Sequence, residues 1–226
     1  MPYQKRSILD QELTALGDDI LRLASMVDTA IEQAILALKD RDVTLAQTVV
    51  AGDDQINQLR YTIEQECLRI LATQQPAARD LRTVIAAIHL AVELERIADH
   101  AAGIARLVTR LENEPHIDSL HKLPKMSKRA RNMVQQGVQA FIEHNVDLAR
   151  EMIKRDDKLD KQYSKLFRET LEEMRDDDYI RRATYLLWVG HNLERIGDRA
   201  TNIAERVIFM LTGEFVEITS DADTIE

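Results

Sequence analysis

Two stretches of this sequence are near copies of each other, and together they decide its fold. Residues 94–108 read LERIADHAAGIARLV, and residues 193–207, which lie 99 positions later, read LERIGDRATNIAERV. The repeat extends upstream, where DDQIN at 53–57 resembles DDKLD at 156–160 at an offset of 103. Copies of about 100 residues indicate a duplicated domain rather than a solenoid of short repeats.

The spacing of apolar residues predicts helices along most of the chain. Apolar residues recur at three- and four-residue steps, which is typical of amphipathic helices, and no segment resembles a strand. Asp42 is the predicted N-cap of the second helix. Six helices are predicted, over 9–39, 43–73, 76–108, 125–143, 146–174 and 178–210.

Short connections between such helices favour an all-α fold of two tandem, pseudo-symmetric three-helix bundles. The predicted division is a first bundle at 1–112, a linker with two prolines at 113–124, a second bundle at 125–212 and a flexible tail at 213–226.

Composition narrows the classes of function. The net charge of -9 argues against a nucleic-acid partner, because phosphate binding needs a basic surface. The single cysteine, Cys67, excludes an internal disulfide and fits a reducing compartment, and we expect it in the core. No apolar run is long enough to span a bilayer. We therefore expect a cytoplasmic protein that reaches the membrane only through partners.

Each copy of the repeat carries an acidic pair with helical spacing. The pairs are Glu95 with Asp99 and Glu194 with Asp198, and residues four apart lie on one stripe of a helix. The glutamate falls about 100 degrees, and the aspartate about 140 degrees, from the centre of the apolar face. Both pairs are therefore expected at the edge of the core or outside it, whereas His100 should point to the opposite flank.

Acidic residues on the preceding helix should face these pairs. Asp53 and Asn57 lie as far before the predicted first-half turn as Glu95 and Asp99 lie after it, and the second half repeats this with Asp156 and Asp160. Converging carboxylates repel one another, and a divalent or iron-type ion bound through oxygen would relieve the repulsion. Water or a salt bridge from Arg96 or Arg195 would relieve it too.

The second acidic patch is the better candidate for metal. Glu194, Asp198 and Glu205 share a stripe with His191, and Asn202 lies beside it. In the first copy, Gly103 and Arg106 stand at the positions of Asn202 and Glu205. A histidine such as His191 is more often a surface residue than a ligand.

The paired motif L-E-R-I-G-D followed by A-x-N-I-A-E, once in each half of a helical chain of this length, resembles the PhoU family. The resemblance covers residues 9 to about 211. It implies two pseudo-symmetric three-helix bundles that hold metal ions on their surface. The ligands it implies are Glu95, Asp99, Glu194 and Asp198, faced by Asp53, Asp156 and Asp160, with Asn202 and Glu205 retained in the second copy.

The same resemblance implies a function that residue spacing does not show. Proteins of the PhoU family keep the phosphate-starvation (Pho) regulon off when phosphate is plentiful, and they restrain phosphate uptake. They are thought to act as adaptors between the ATPase subunit of the phosphate ABC transporter and a sensor histidine kinase. They are not enzymes, and homodimers are usual.

Two other interpretations compete with this one. A di-iron carboxylate enzyme would need Glu-x-x-His pairs, but Ala98 and Gly197 occupy the histidine positions. The other is a metal-binding helical scaffold, or a PhoU paralogue that serves another transporter without control of the regulon. Trp188 is expected in the core or in a dimer interface.

Overall fold

A computed structural model describes residues 2–112, 114, 120 and 122–216. Among these residues there are seven α-helices, one 3-10 turn and no strand. The all-α prediction is confirmed. The helices are α1 Pro2–Asp40, α2 Val43–Gln74, α3 Ala78–Leu111, α4 Leu123–Ile142, α5 Val146–Ile153, α6 Asp156–Glu173 and α7 Ile180–Thr212, with the 3-10 turn at Asp177–Tyr179.

The helices pack as two bundles in tandem. The first bundle contains α1, α2 and α3, and the second contains α4, α7 and the pair α5–α6. Apolar residues at the predicted spacing, such as Ile20, Leu23, Leu94, Ile97 and Ile104, are fully buried. Full burial of each such side chain contributes about 1.5–3 kcal/mol.

The two halves meet most extensively through α3 and α7. His100 Nδ1 lies 3.0 Å from Asn192 Oδ1, and Arg199 Nη1 lies 3.5 Å from Glu93 Oε2. In the repeat, position 93 corresponds to 192 and position 100 to 199, so each contact is the counterpart of the other. The halves are therefore related by a pseudo-two-fold axis between antiparallel α3 and α7.

The first corner of each bundle is built in the same way. Asp42 and Asn145 cap α2 and α5, and their side chains accept hydrogen bonds from the backbone N–H of Leu45 and Leu148. This confirms the predicted Asp42 cap. The preceding residues, Arg41 and His144, both adopt left-handed backbone conformations. The duplication has thus preserved the geometry of this corner.

One predicted helix is interrupted. The sequence predicted a continuous helix over 146–174, but the structure ends α5 at Ile153 and begins α6 at Asp156. The new helix has Asp156 and Asp157 in its first turn, where the positive end of the helix dipole favours carboxylates. In the first half, α2 runs unbroken through Asp53. The prediction was wrong here.

The described residues bear on only some of the remaining expectations. Most of the predicted linker and residues 217–226 of the predicted tail lie outside the described residues. Cys67 is fully buried, as expected, whereas Trp188 is 50% exposed and is not a core residue. Within the part of the chain that the structure describes, no helix has the length and apolar character needed to cross a membrane.

Candidate metal centre

Two glycines of α7 allow α6 to lie close against it. A Cβ atom at Gly197 would collide with Leu159 Cδ2, and one at Gly190 would collide with Leu166 Cδ2. Both leucines are fully buried. Since real side chains do not tolerate such overlap, the short distance between the helices depends on these glycines. The approach brings the start of α6 to the middle of α7.

Three carboxylates converge where these helices meet. Asp156 and Asp160 on α6 and Asp198 on α7 each place one carboxylate oxygen so that all three atoms lie within 4.8 Å of one another. We call these residues the second-half cluster. No other group of three His, Cys, Asp or Glu residues in the described part of the chain meets this limit. Carboxylate oxygens suit hard cations, so the cluster could hold a metal ion.

Protein groups satisfy only part of the cluster. Thr201 Oγ1 donates a hydrogen bond to Asp156 Oδ2 at 3.1 Å, and Arg195 Nη1 lies 2.8 Å from Asp198 Oδ2. The Oδ1 atoms of Asp156 and Asp160 are buried without a hydrogen-bond partner. A buried polar atom without a partner costs free energy, and a cation bound there would remove that cost.

The electrostatics agree with this geometry. Burial, followed by the charge of Glu194, raises the pKa of Asp198 to about 7. Burial, followed by the charges of Asp156 and Asp198, raises the pKa of Asp160 to about 6. Carboxylates this close resist ionising together unless a positive charge joins them. Metal-free protein should therefore keep protons on this cluster near neutral pH.

The other predicted ligands of the second half border the cluster. Glu194 is half-buried, burial raises its pKa, and its Oε2 lies 3.3 Å from His191 Nδ1. Asn202 and Glu205 are half-buried further along α7, and Glu205 does not belong to the converging group of carboxylates. Their assignment as ligands, like that of Glu194, stays a prediction.

The first-half acidic residues are arranged differently. Asp53, Glu95 and Asp99 do not converge within the same limit. Asp53 and Glu95 are half-buried and Asp99 is exposed. Burial, and after it the charge of Asp99, raises the pKa of both Asp53 and Glu95. The three side chains share one neighbourhood without forming a compact ligand set.

Sequence reasoning missed Thr201, which is buried beside the cluster. Its counterpart in the first copy is Ala102. This difference between the copies, three positions after Asp198, could have indicated a hydroxyl group near the acidic residues. His100 contacts Asn192 across the interface between the halves, which agrees with the prediction that it points away from Glu95.

Comparison with known proteins identifies the fold and the motif together. The family model described as the PhoU domain matches residues 20–108 and again 123–207. The chain belongs to the PhoU family. Both matched segments contain one copy of the repeated acidic motif, so the duplication seen in the sequence is the duplication of the PhoU domain.

Relatives and solved structures extend over nearly the whole chain. A phosphate-specific transport system accessory protein PhoU homolog of Clostridium acetobutylicum is 35% identical, with 94% of this chain and 98% of that protein covered. A crystal structure of PhoU from Pseudomonas aeruginosa has a TM-score of 0.85 at 37% identity, covering 91% of this chain and 99% of that one.

A second crystal structure is described as the phosphate transport system regulatory protein PhoU from Streptococcus pneumoniae. It has a TM-score of 0.86 at 33% identity and covers 93% of this chain and 100% of that one. The PhoU resemblance expected from the sequence is thereby confirmed. The family role is that of an accessory protein of phosphate transport.

Proposed function

We propose that this chain is a cytoplasmic regulator of phosphate uptake and a negative regulator of the Pho regulon. It acts as an adaptor between the ATPase subunit of the phosphate ABC transporter and the phosphate-sensing histidine kinase. The observation that carries this proposal is the match of both halves to the PhoU domain, together with relatives of nearly equal length that are named phosphate transport accessory proteins.

The proposed role is regulatory and not catalytic. On α3 and α7, Glu95, Glu194 and Asp198 are half-buried and Asp99 is exposed, so the acidic pairs lie at the edge of the bundles and not in their cores. Ala98 and Gly197, which occupy the positions where a di-iron enzyme needs histidines, are buried in the helix packing. The core therefore offers those carboxylates no histidine partners of the kind that di-iron carboxylate chemistry uses.

We propose further that Asp156, Asp160 and Asp198 hold a divalent or iron-type cation, with Glu194 beside them. These residues lie on two different helices, so a cation bound by all three would tie α6 to α7. Such a link favours the arrangement of α6 in which the three carboxylates converge.

We also propose that the chain forms a homodimer. Trp188, half-exposed on α7, packs edge-on against Tyr185, and aromatic side chains of this kind are enriched in interfaces. Sedimentation equilibrium measures the assembly directly. A dimer mass is expected, and a monomer mass at micromolar concentration would contradict this part of the proposal.

The regulatory proposal is tested by a phosphate-starvation promoter fused to a reporter, in cells grown with ample phosphate. Deleting the gene should switch the promoter on, and restoring the wild-type gene should switch it off. Removing the sensor kinase as well should silence the promoter, because the adaptor acts through the kinase.

A promoter that stays off after deletion would contradict regulation of the Pho regulon. That result would favour the alternative of a metal-binding scaffold, or a PhoU paralogue that serves another transporter. Binding of the purified chain to the ATPase subunit of another transporter then separates these two cases, since only the paralogue is expected to bind one.

A further inference from the structure

We infer that the two halves hold their acidic residues together by different means. Arg60 and Arg106 supply in the first half the positive charge that a metal ion supplies in the second, so this chain carries one metal centre and not two. The inference rests on the metal site proposed for the second-half cluster.

The repeat shows where the two halves differ. At the offsets established above, Asn57 corresponds to Asp160, Arg60 to Tyr163, and Arg106 to Glu205. Every one of these differences makes the first half less acidic. The patch comprises the acidic sites, these three positions and Glu64, which pairs with Arg60 and corresponds to Phe167. Its formal charge is -2 in the first half and -5 in the second.

Packing holds Arg60 in place. Its side chain on α2 is 15% exposed, its Nη1 lies 2.8 Å from Glu64 Oε1, and its guanidinium lies 3.8 Å from the centre of the Tyr61 ring. On α2 it follows Asp53 by seven residues, about two turns, so it lies on the same face of the helix as that acid.

Arg106 has the equivalent position on the other helix. It follows Asp99 by seven residues, about two turns of α3, so it lies on the same face as that acid. Each helix of the pair thus contributes one arginine on the face that carries its acids. In the second half the corresponding residues are Tyr163, a phenol, and Glu205, a further acid.

The first-half residues also lack the geometry that a metal requires. Their carboxylate oxygens do not converge as those of the second-half cluster do, and Asp99 is exposed to water. In the first half only one carboxylate oxygen of these residues, Asp53 Oδ1, is buried without a hydrogen bond, whereas the second-half cluster has two.

Titration of the purified, metal-free full-length chain with Mn²⁺ alone tests the inference, followed calorimetrically and by the electron paramagnetic resonance signal of free Mn²⁺. Wild-type protein should bind one equivalent tightly. Asp160→Asn with Asp198→Asn should remove that equivalent, and Glu95→Gln with Asp99→Asn should leave it. Loss of the one equivalent in the first-half variant would overturn the inference.

Conversion of the first half to the second-half pattern is the sharper test. Asn57→Asp with Arg60→Tyr and Arg106→Glu should raise the stoichiometry from one Mn²⁺ to two. Arg106→Glu alone changes an exposed residue and should add a weaker second binding event even if the triple variant folds poorly. Arg110→Glu, the same charge change one turn later on α3, should leave one equivalent.

Three further results would overturn the inference. The first is binding of two equivalents of Mn²⁺ by the wild-type chain when the variant without Glu95 and Asp99 binds only one. The second is no binding of Mn²⁺ by the wild-type chain. The third is a folded triple variant that still binds only one equivalent. None of these readouts depends on the reporter promoter, so failure of the regulatory proposal and failure of this inference can be told apart.

Discussion

Replacement of Asp198 by Asn should stabilise the metal-free protein at pH 8. The pKa of this carboxyl is raised from 3.8 to about 7, first by burial and then by the charge of Glu194. A carboxyl whose pKa is higher in the folded than in the unfolded protein makes the fold relatively more stable at low pH. There it is protonated in both the folded and the unfolded state. That stability is lost as the pH rises from about 4 through 7. Asparagine keeps the shape and removes the titration.

The structure sets the size of the effect. A rise in pKa from 3.8 to about 7 corresponds to at most about 4 kcal/mol. The side chain is 31% exposed, so solvent screening reduces this to about 1–2 kcal/mol. Loss of the ion pair with Arg195 costs about 0–1 kcal/mol. The net gain is about 1 kcal/mol at pH 8, or about 2–4 °C in Tm for a chain of this size.

The assay is thermal unfolding by circular dichroism in EDTA, from pH 4.5 to pH 8. The difference in Tm between variant and wild type should grow with pH through the window between 4 and 7. Asp18→Asn, a change at an exposed site on α1, is the matched control and should show no such trend. A variant that is less stable than wild type by the same amount at every pH would refute the reasoning.

Three more predictions concern the packing and the metal. Gly197→Ala should cost about 1–3 kcal/mol in urea unfolding, because its Cβ collides with Leu159. Gly52→Ala, which meets open space in α2, should instead stabilise by up to about 1 kcal/mol, and an equal loss at both glycines would contradict the packing explanation. Arg131→Ala should lower the free energy of unfolding by about 1–3 kcal/mol. The reason is that Arg131 on α4 binds both carboxylate oxygens of Asp28 on α1, at 2.8 and 2.7 Å. A loss under about 0.5 kcal/mol would show that this link between the helices is weak. Mn²⁺ at 100 times its Kd should stabilise wild-type protein by about 2.7 kcal/mol, and no rise in Tm would contradict a bound metal.

The helices and the core could be predicted because apolar periodicity is a local property of the sequence. Ile20, Leu94 and Ile104 were assigned to core faces by their spacing alone, and all three are fully buried. The break between α5 and α6 could not be predicted, since no Gly or Pro marks residues 154–155. It accompanies the close packing of α6 on α7 at Gly197, which is a tertiary effect.

The candidate site could be predicted only in part, because its geometry also depends on tertiary packing. Counting residues from the helical turn placed Asp156 and Asp160 level with Asp198, and the structure brings these three together. The same counting placed Asp53 level with Glu95 without showing that their oxygens stay apart. The ion pair of Arg60 with Glu64 and its packing over Tyr61 depend on side-chain conformation, which sequence spacing does not reveal.

Anomalous diffraction from crystals grown with Mn²⁺ tests the central claim most directly, because it locates the ion among named side chains. The predicted result is one anomalous peak per chain, bounded by Asp156, Asp160 and Asp198, with no peak beside Asp53 and Glu95. A peak of similar height in both halves, or one only in the first half, would contradict the assignment of the metal centre to α6 and α7.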